Sequence, residues 1–257
     1  MKKQHDTTLV DQLVLAHARL LKMPGIHRQL DALVRHAESE HAGYKQFLVD
    51  VLAAEIASRE TSSINERLKA AHFPERKSLD GFDCAAVHVE PALLAQLATC
   101  AFVDRGDNVA LLGPVGTGKT HLAIALGIEA CRRRKRVMFV RAADLVRQLI
   151  EARDRRELGR LEARLRRVDL LVLDELGFVP FDRAGGELLF GVFSDRHNRR
   201  STMVTSNLAF SEWASVFGGD EKLTAALLDR LAETCTVVTT SGKSFRTQKR
   251  TSAARAA

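Results

Sequence analysis

Apolar residues follow two different periods along the chain, and the change between them falls near residue 78. From Val10 to Leu21, and again from Tyr44 to Ile56, apolar residues recur at spacings of three and four. This spacing is typical of amphipathic helices, and it continues to about Phe73. It predicts a small all-α N-terminal domain over residues 1–77. The pair Asp80-Gly81 is typical of a turn and marks the expected linker.

Beyond residue 78, short apolar segments alternate with helical patterns. The five strand candidates are Asn108–Leu112, Val137–Val140, Leu170–Leu173, Thr202–Thr205 and Thr236–Thr239. Alternation of this kind predicts a parallel sheet that is covered by helices on both faces. The sequence therefore predicts an α/β core over residues 78–240. A basic tail over residues 241–257 has little apolar content, and we expect it to be partly disordered.

A complete G-x-x-x-x-G-K-T motif follows the first strand candidate and precedes an apolar helical run from His121 to Ala130. Glycines let backbone N–H groups turn toward phosphates, a helix N-terminus adds a favourable dipole, and Lys119 supplies a cation. The hydroxyl of Thr120 is a suitable ligand for Mg²⁺. The motif therefore predicts a P-loop that binds ATP and Mg²⁺. The expected nucleotide-binding residues are Gly113, Pro114, Val115, Gly116, Thr117, Gly118, Lys119, Thr120 and His121.

A second phosphate-site pattern is the apolar strand candidate that ends in Asp174 and Glu175. Asp174 can hold Mg²⁺ directly or through a water, and Glu175 can accept a proton from the attacking water. An apolar run before two acids is weak evidence by itself. Downstream of a P-loop it predicts the metal ligand and the general base of an ATPase.

Two further residues are candidates for catalysis, and each has an ordinary alternative. Asn207 follows the fourth strand candidate at the carboxyl edge of the sheet, where it could orient the hydrolytic water. It could instead cap a helix that starts near Ser211. Arg230 ends an apolar helix, where it could reach the γ-phosphate of a neighbouring subunit or interact only with the helix dipole.

The order of these motifs resembles that of the AAA+ ATPases. Details resemble one branch, the IstB-like transposition helper ATPases of two-gene insertion sequences, with the DnaC-type helicase loaders as near relatives. The resemblance covers most of the chain and rests on four stretches, which begin at Lys69, Leu112, Asp169 and Val204. It implies a sheet with the strand order 5-1-4-3-2. It also implies a homo-oligomer with ATP sites at its subunit interfaces.

The resemblance also implies roles for individual residues. Lys119 and Thr120 correspond to Walker A, Asp174 and Glu175 to Walker B, Asn207 to sensor I, and Arg230 to a candidate arginine finger. Few residues follow the last strand candidate, so we expect no C-terminal helical lid, as in the IstB and DnaC branch. Arg246 is the only tail residue considered for the usual lid arginine, and an exposed charge is the alternative.

The formal net charge is +7, and residues 132–167 contain 14 basic residues against 5 acidic ones. This excess suits a polyanion partner, although a solvated surface is the alternative. The run from Arg132 to Arg136 lies at the C-terminal end of a predicted helix, where cations also interact favourably with the helix dipole. It is therefore a weaker candidate for DNA binding.

The second part of the basic region has two faces. Leu158, Leu161, Leu165 and Val168 form an apolar stripe that we expect to dock on the sheet, while arginines recur at spacings of three and four on another face. The expected DNA-binding residues are Arg153, Arg156 and Arg160, with a solvated face as the alternative. Gly159 could split the segment into two helices. Interleaved aromatic residues are missing, which favours sequence-independent contacts to duplex DNA over base stacking.

Several other classes of protein are disfavoured. The four cysteines are far apart and the histidines lack ligand spacing, so neither a disulfide framework nor a zinc site is indicated. No long apolar run suggests a signal peptide or a membrane span, and we expect a cytoplasmic protein.

Three functions are compatible with these motifs. The first is an ATP-dependent regulator of transposition that assembles on target duplex DNA and recruits or stimulates its cognate transposase. The second is a DnaC-like replicative helicase loader. The third, a small-molecule P-loop kinase, is disfavoured because Glu175 and Asn207 suit a water nucleophile.

Overall fold

The structure is a computed structural model that describes residues 9–242. The chain divides into two compact units, one up to Glu66 and one from Arg67. The first unit contains α1 (Leu9–Leu20), α2 (Pro24–Ser39) and most of α3 (Tyr44–Ala70). This agrees with the helical spacing of the sequence, and a new helix begins at Pro24.

A buried carboxylate holds the start of α2. Glu55 of α3 is only 3% exposed, and its Oε2 accepts hydrogen bonds from the backbone N–H groups of Gly25 (2.7 Å) and Ile26 (3.3 Å). Arg59 donates to Oε1 at 2.7 Å. Burial raises the pKa of Glu55, and the hydrogen bonds from Arg59, Gly25 and Ile26 lower it by more. The pKa of Glu55 therefore lies below its ordinary value. The carboxylate therefore satisfies N–H groups that a helix start leaves unpaired.

The second unit is a five-stranded parallel sheet with helices. Its elements are α4 (Pro91–Ala98), α5 (Ala101–Arg105), β1 (Asn108–Leu112), α6 (Lys119–Arg132), β2 (Val137–Arg141), α7 (Ala142–Asp154), α8 (Leu158–Arg166), β3 (Leu170–Asp174), α9 (Arg183–Arg196), β4 (Ser201–Ser206), α10 (Glu221–Ala232) and β5 (Cys235–Thr239). The strand order is β2-β3-β4-β1-β5, and every pairing is parallel. The predicted α/β fold and strand order are confirmed, and each strand lies within one residue of its expected ends.

The strands read as continuous apolar runs because both faces of the sheet are buried. In β1, Val109 and Leu111 belong to the core that includes α4 and α6. Ala110 and Leu112 belong to the core that includes α7, α9 and α10. Alternate residues therefore pack into opposite layers, as expected for a parallel sheet with helices on both sides.

The division between the units precedes the boundary that we expected after residue 77. Residues 67–77 pack on the P-loop core instead: Ala71 is fully buried, and its carbonyl accepts from the Phe139 N–H at 2.8 Å. The ring of Phe73 lies 6.1 Å from that of Phe139 and against Gly127 of α6, where a Cβ would be 2.8 Å from the Phe73 ring. These contacts join residues 67–77 to the α/β unit, although their helical spacing continues that of the first unit.

Within residues 9–242, each helix is too short or too polar to cross a bilayer. Arg246 and the rest of the expected tail after Gly242 lie outside the described residues.

Candidate functional site

The loop between β1 and α6 has the backbone that its glycines allow. Gly113, Gly116 and Gly118 have φ values of +141°, +85° and +87°. Side chains are disfavoured at such angles, so these positions require glycine. The helix α6 begins at Lys119, directly after the loop. The N-terminal end of α6 and its dipole therefore face the loop, which suits an anion.

The side chain of Lys119 folds back onto the loop that precedes α6. Its Nζ donates to the carbonyl oxygens of Gly113 and Pro114, both at 2.7 Å, and the residue is 9% exposed. The ammonium group is thus held beside the phosphate-binding backbone.

Three oxygen-bearing side chains meet at the carboxyl edge of the sheet. Thr120 Oγ1 donates to Asp174 Oδ1 at 2.8 Å, and Thr205 Oγ1 donates to the same oxygen at 2.6 Å. Neighbouring ligands of an octahedral Mg²⁺ at about 2.0–2.1 Å lie about 3 Å apart. The Thr120 and Asp174 oxygens are therefore spaced so that both would hold one Mg²⁺. Thr205 was missed at the sequence level, because a threonine inside a strand gives no signal of its side-chain partners.

Glu175 leaves the end of β3 in a left-handed conformation, with φ +59°. Its backbone N–H donates to Thr205 Oγ1 at 2.9 Å, which supports this unusual angle. On the side chain, Oε2 lies 3.5 Å from Arg141 Nε at the end of β2. Thr205 therefore contacts both acids of the predicted pair.

A cavity of about 680 Å³ opens between the P-loop and the carboxyl ends of the strands. Lys119, Thr120, Glu175 and Asn207 all line it. The alternative role of Asn207 as a helix cap is not seen, because the following 3-10 helix begins at Phe210 and is preceded by Ala209. The structure thus brings part of the predicted P-loop, Glu175 and Asn207 to one cavity. Asp174 is buried behind this lining and reaches it through its hydrogen bond with Thr120.

Residues 75–83 form another wall of this cavity. The rings of Phe82 and His121 lie 5.3 Å apart, and His121 Nε2 is 2.7 Å from the Ser78 carbonyl oxygen. Phe82 also packs on the P-loop, where a Cβ on Gly118 would be 3.0 Å from its ring. We expected residues 78–82 of this segment to be a linker or a turn. The aromatic residue Phe82 inside a turn is a sequence signal that this segment packs against the core.

Arg230 does not line the cavity. It lies in the last turn of α10, before the amino end of β5, whereas the cavity lies at the carboxyl ends of the strands. Its guanidinium stacks on the Phe190 ring at 4.7 Å and donates to the Ala226 carbonyl at 2.8 Å. Within one chain, therefore, Arg230 is held against α9 and α10 and does not reach the P-loop cavity.

The basic segment is two helices, and the break is not at Gly159. The helix α7 ends at Asp154, Arg156 has φ +59°, and Gly159 lies inside the first turn of α8. The alternative of two helices is therefore the one observed, and the three arginines do not share one helix face: Arg153 lies on α7, Arg156 in the turn and Arg160 on α8. All three are exposed, and Arg153 forms an ion pair with Asp154.

The apolar stripe of this segment is docked, but α8 packs mainly on α7 and α9 rather than directly on the sheet, as we had expected. Leu165 is buried in the core beside α7 and α9, and Leu158, Leu161 and Val168 pack against it. Docking of both helices on one core requires the chain to turn between them, which is the physical reason for the break.

A buried arginine that we did not single out fixes the end of α8. Arg196 is 1% exposed and donates to the carbonyl oxygens of Leu165 (2.7 Å), Val168 (3.1 Å) and Ser201 (2.6 Å), and to Thr202 Oγ1 (3.1 Å). Burial, with a smaller effect of nearby Arg200, lowers its pKa to about 10. These bonds tie the basic segment to β4.

Cations of the run from Arg132 to Arg136 have acidic partners. Arg132 pairs with Glu129, Lys135 with Asp104, and Arg136 with Asp169. Asp169 also pairs with Arg200. Burial raises the pKa of Asp169, but its bonds with Arg136 and the charge of Arg200 together lower that pKa below its ordinary value. These pairs leave this run with less net charge toward a polyanion than its sequence suggests.

Comparison with known proteins places these features in a family. Residues 16–253 match the family described as IstB-like ATP binding protein. The chain is 36% identical over 231 residues to the ATP-binding protein of insertion sequence IS21 from Pseudomonas aeruginosa, covering 90% of this chain and 87% of that protein. It is 35% identical over 234 residues to the corresponding protein of IS5376 from Geobacillus stearothermophilus, covering 90% and 92%.

Among solved structures, the DnaC helicase loader is similar with a TM-score of 0.50 and 21% identity, over 68% of this chain and 99% of that one. Identity at this level shows a shared fold only. With the near full-length match at the sequence level, the chain belongs to the IstB-like family of insertion-sequence ATP-binding proteins, which have the AAA+ P-loop fold.

Proposed function

We propose that this protein is an ATP-dependent regulator of transposition. It assembles as a homo-oligomer on target duplex DNA, hydrolyses ATP with Mg²⁺, and recruits or stimulates its cognate transposase. The observation that carries the proposal is the shared contact of Thr120 and Thr205 on Asp174, beside Glu175 and the P-loop, in a chain of the insertion-sequence family.

Hydrolysis follows from the groups around the cavity. Thr120 and Asp174 would hold Mg²⁺, which supplies positive charge to the phosphate oxygens, and Lys119 adds a second cation. Glu175 accepts a proton from the water that attacks the γ-phosphorus, and Asn207 orients that water. The bond from the γ-phosphorus to the bridging oxygen breaks, so that ADP and phosphate are the products.

Assembly and DNA binding use surfaces outside the cavity. Arg230 would reach the γ-phosphate of a neighbouring subunit, which makes hydrolysis depend on the oligomer. Arg153, Arg156 and Arg160 would contact the phosphates of duplex DNA without reading bases. Their exposure, beside a docked apolar stripe, supports this role.

The proposal is tested by strand transfer into a supercoiled target plasmid with the cognate transposase, with and without this protein and ATP. We expect ATP-dependent stimulation that Lys119→Ala abolishes, because the phosphate site loses its cation. Glu175→Gln should bind ATP and DNA but turn over ATP at least about 10²-fold more slowly.

The competing function, a helicase loader, is examined with the same preparations. If the protein leaves transposition unchanged and instead forms an ATP-dependent complex with the replicative helicase and single-stranded DNA, the regulator proposal is wrong. Stimulation of transposition without such a complex supports it.

A further inference from the structure

The end of the last strand lies directly against the P-loop. Thr240, which follows β5, is fully buried, and its N–H donates to the Leu112 carbonyl at 2.7 Å. A Cβ on Gly113 would lie 2.0 Å from the Thr240 carbonyl oxygen and 2.6 Å from its hydroxyl. The first glycine of the motif is therefore required by contact with Thr240 as well as by its own φ of +141°.

A chain of hydrogen bonds continues from Thr240 into the loop. Thr240 Oγ1 lies 2.6 Å from Thr117 Oγ1, and Thr117 Oγ1 donates to the Pro114 carbonyl at 2.8 Å. Each hydroxyl has one proton. If Thr117 donates to Pro114, Thr240 donates to Thr117; if Thr240 donates to the Leu112 carbonyl at 3.2 Å, Thr117 donates to Thr240. In both arrangements the two hydroxyls are bonded to each other. The Pro114 carbonyl also accepts from Lys119 Nζ at 2.7 Å.

The strand end is held from its other side as well. The Ser241 N–H donates to the Val87 carbonyl at 3.0 Å. Gly242, with φ +105°, passes so close to Ala86 that a Cβ would lie 2.4 Å from the Ala86 carbonyl oxygen. Thr240 is thus clamped between β1 and residues 86–87, and its hydroxyl has a fixed position from which to hold the loop.

We infer that Thr240 is a positioning residue for nucleotide binding, whose hydroxyl holds Thr117 and so keeps the P-loop in the conformation that receives phosphates. The residue is fully buried and does not line the cavity, so we expect it to touch no nucleotide itself. This inference rests on the nucleotide-binding part of the proposed function and is independent of hydrolysis, DNA binding and transposase stimulation.

The size of the effect follows from the population of the competent loop. If only a fraction of molecules has the loop in the right conformation, the apparent dissociation constant rises by the inverse of that fraction. Loss of the Thr240 hydroxyl leaves Thr117 without one of its two partners in a buried site. We therefore expect Thr240→Val to weaken binding of a fluorescent ADP analogue by about tenfold, which corresponds to about 1.4 kcal/mol.

The experiment is an equilibrium titration of full-length variants with this ADP analogue in Mg²⁺. Thr240→Ser keeps the hydroxyl and should restore most of the affinity. Thr239→Val makes the same chemical change at the preceding, exposed position and should bind like the wild type. Thr117→Val should weaken binding, and the Thr117→Val/Thr240→Val double variant should be weakened by less than the product of the single effects, because both changes break one chain of bonds.

The melting temperature without nucleotide is measured in parallel, and Thr240→Ala provides a smaller side chain in case valine disturbs folding. Wild-type affinity in Thr240→Val or in Thr240→Ala would overturn the inference. So would fully multiplicative effects of the Thr117 and Thr240 changes, or a lower melting temperature with no change in affinity, which would show a purely structural role.

Discussion

Arg141 Nε lies 3.5 Å from Glu175 Oε2, so that the carboxylate expected to act as general base has a cation beside it. Arg141 is the last residue of β2 and pairs in register with Asp174, and it is also the residue that precedes α7. The ion pair therefore joins the base to the helix that leads into the basic segment.

We expect Arg141→Gln to raise ATP hydrolysis in the absence of DNA, because the pair competes with water for Glu175. Both side chains are well exposed, and an exposed pair contributes only about 0.2–1 kcal/mol, which limits the rise to about fivefold. The measurement is steady-state phosphate release. In the Glu175→Gln background, the same change should have no effect, and a decrease in the wild-type background would show that Arg141 instead orients the base.

Thr205 supports both acids of the site, and its hydroxyl is buried. We expect Thr205→Val to raise the Mg²⁺ concentration needed for half-maximal hydrolysis, because Asp174 loses the donor that orients Oδ1. The Glu175 N–H also loses its acceptor, at a cost of about 1–3 kcal/mol in the free energy of unfolding. Thr205→Ser is the control and should stay near the wild type. An unchanged Mg²⁺ dependence in Thr205→Val would exclude Thr205 from the metal site.

Arg230 is expected to act across a subunit boundary. Arg230→Ala should bind nucleotide but lose hydrolysis in the assembled form, and mixing it with Glu175→Gln should restore some activity. Each Arg230→Ala subunit keeps its own Glu175, and its neighbour supplies the arginine. Phe190→Leu removes the stacking partner of Arg230 while keeping the arginine, and therefore controls for packing. Failure to regain activity at every mixing ratio, with co-assembly demonstrated, would contradict this role.

The exposed arginines around the α7–α8 turn are expected to contact duplex phosphates. A triple change of Arg153, Arg156 and Arg160 to alanine should weaken binding to all duplex sequences alike. The slope of log K against log salt should shrink by about 0.9 for each phosphate that the variant no longer neutralises. Folding should be retained, since the apolar stripe that docks α8 is untouched.

A charge-matched triple variant provides the control for this DNA-binding prediction. It changes Arg183, Arg199 and Lys222 to alanine, all of which are exposed. This control should keep most of the salt slope. Equal slopes in the wild type and in the first triple variant would show that the α7–α8 arginines are only solvated.

Glu55 makes the stability of the first unit depend on pH. Its pKa in the folded protein is lowered, so its stabilising effect is present above the unfolded pKa, near 4.5, and is lost as the pH falls through the lower folded value. We expect acid to speed hydrogen exchange at the α2 amides of the full-length protein. In Glu55→Gln exchange should be fast already at neutral pH and respond less to acid, whereas Glu38→Gln, which changes an exposed acid, should behave like the wild type.

Features of this protein that depend on consecutive residues could be predicted from its sequence. The P-loop needs glycines at defined positions between a strand and a helix, and each buried strand is a short apolar run, so both can be located from the order of residues alone. The parallel order of the sheet followed from the resemblance to a known family.

Contacts between side chains that are distant in the sequence could not be predicted, because they depend on how the segments pack in the folded protein. Thr205 and Thr240 are single hydroxyls inside or beside strands, and their importance arises from contacts with Asp174 and Thr117 on other segments. The helical spacing of residues 67–77 continues that of the first unit, yet they pack on the α/β core. A local pattern reports which face of a segment is apolar, but the surface it packs against, and the partners of its buried polar groups, are set by the arrangement of the whole sheet.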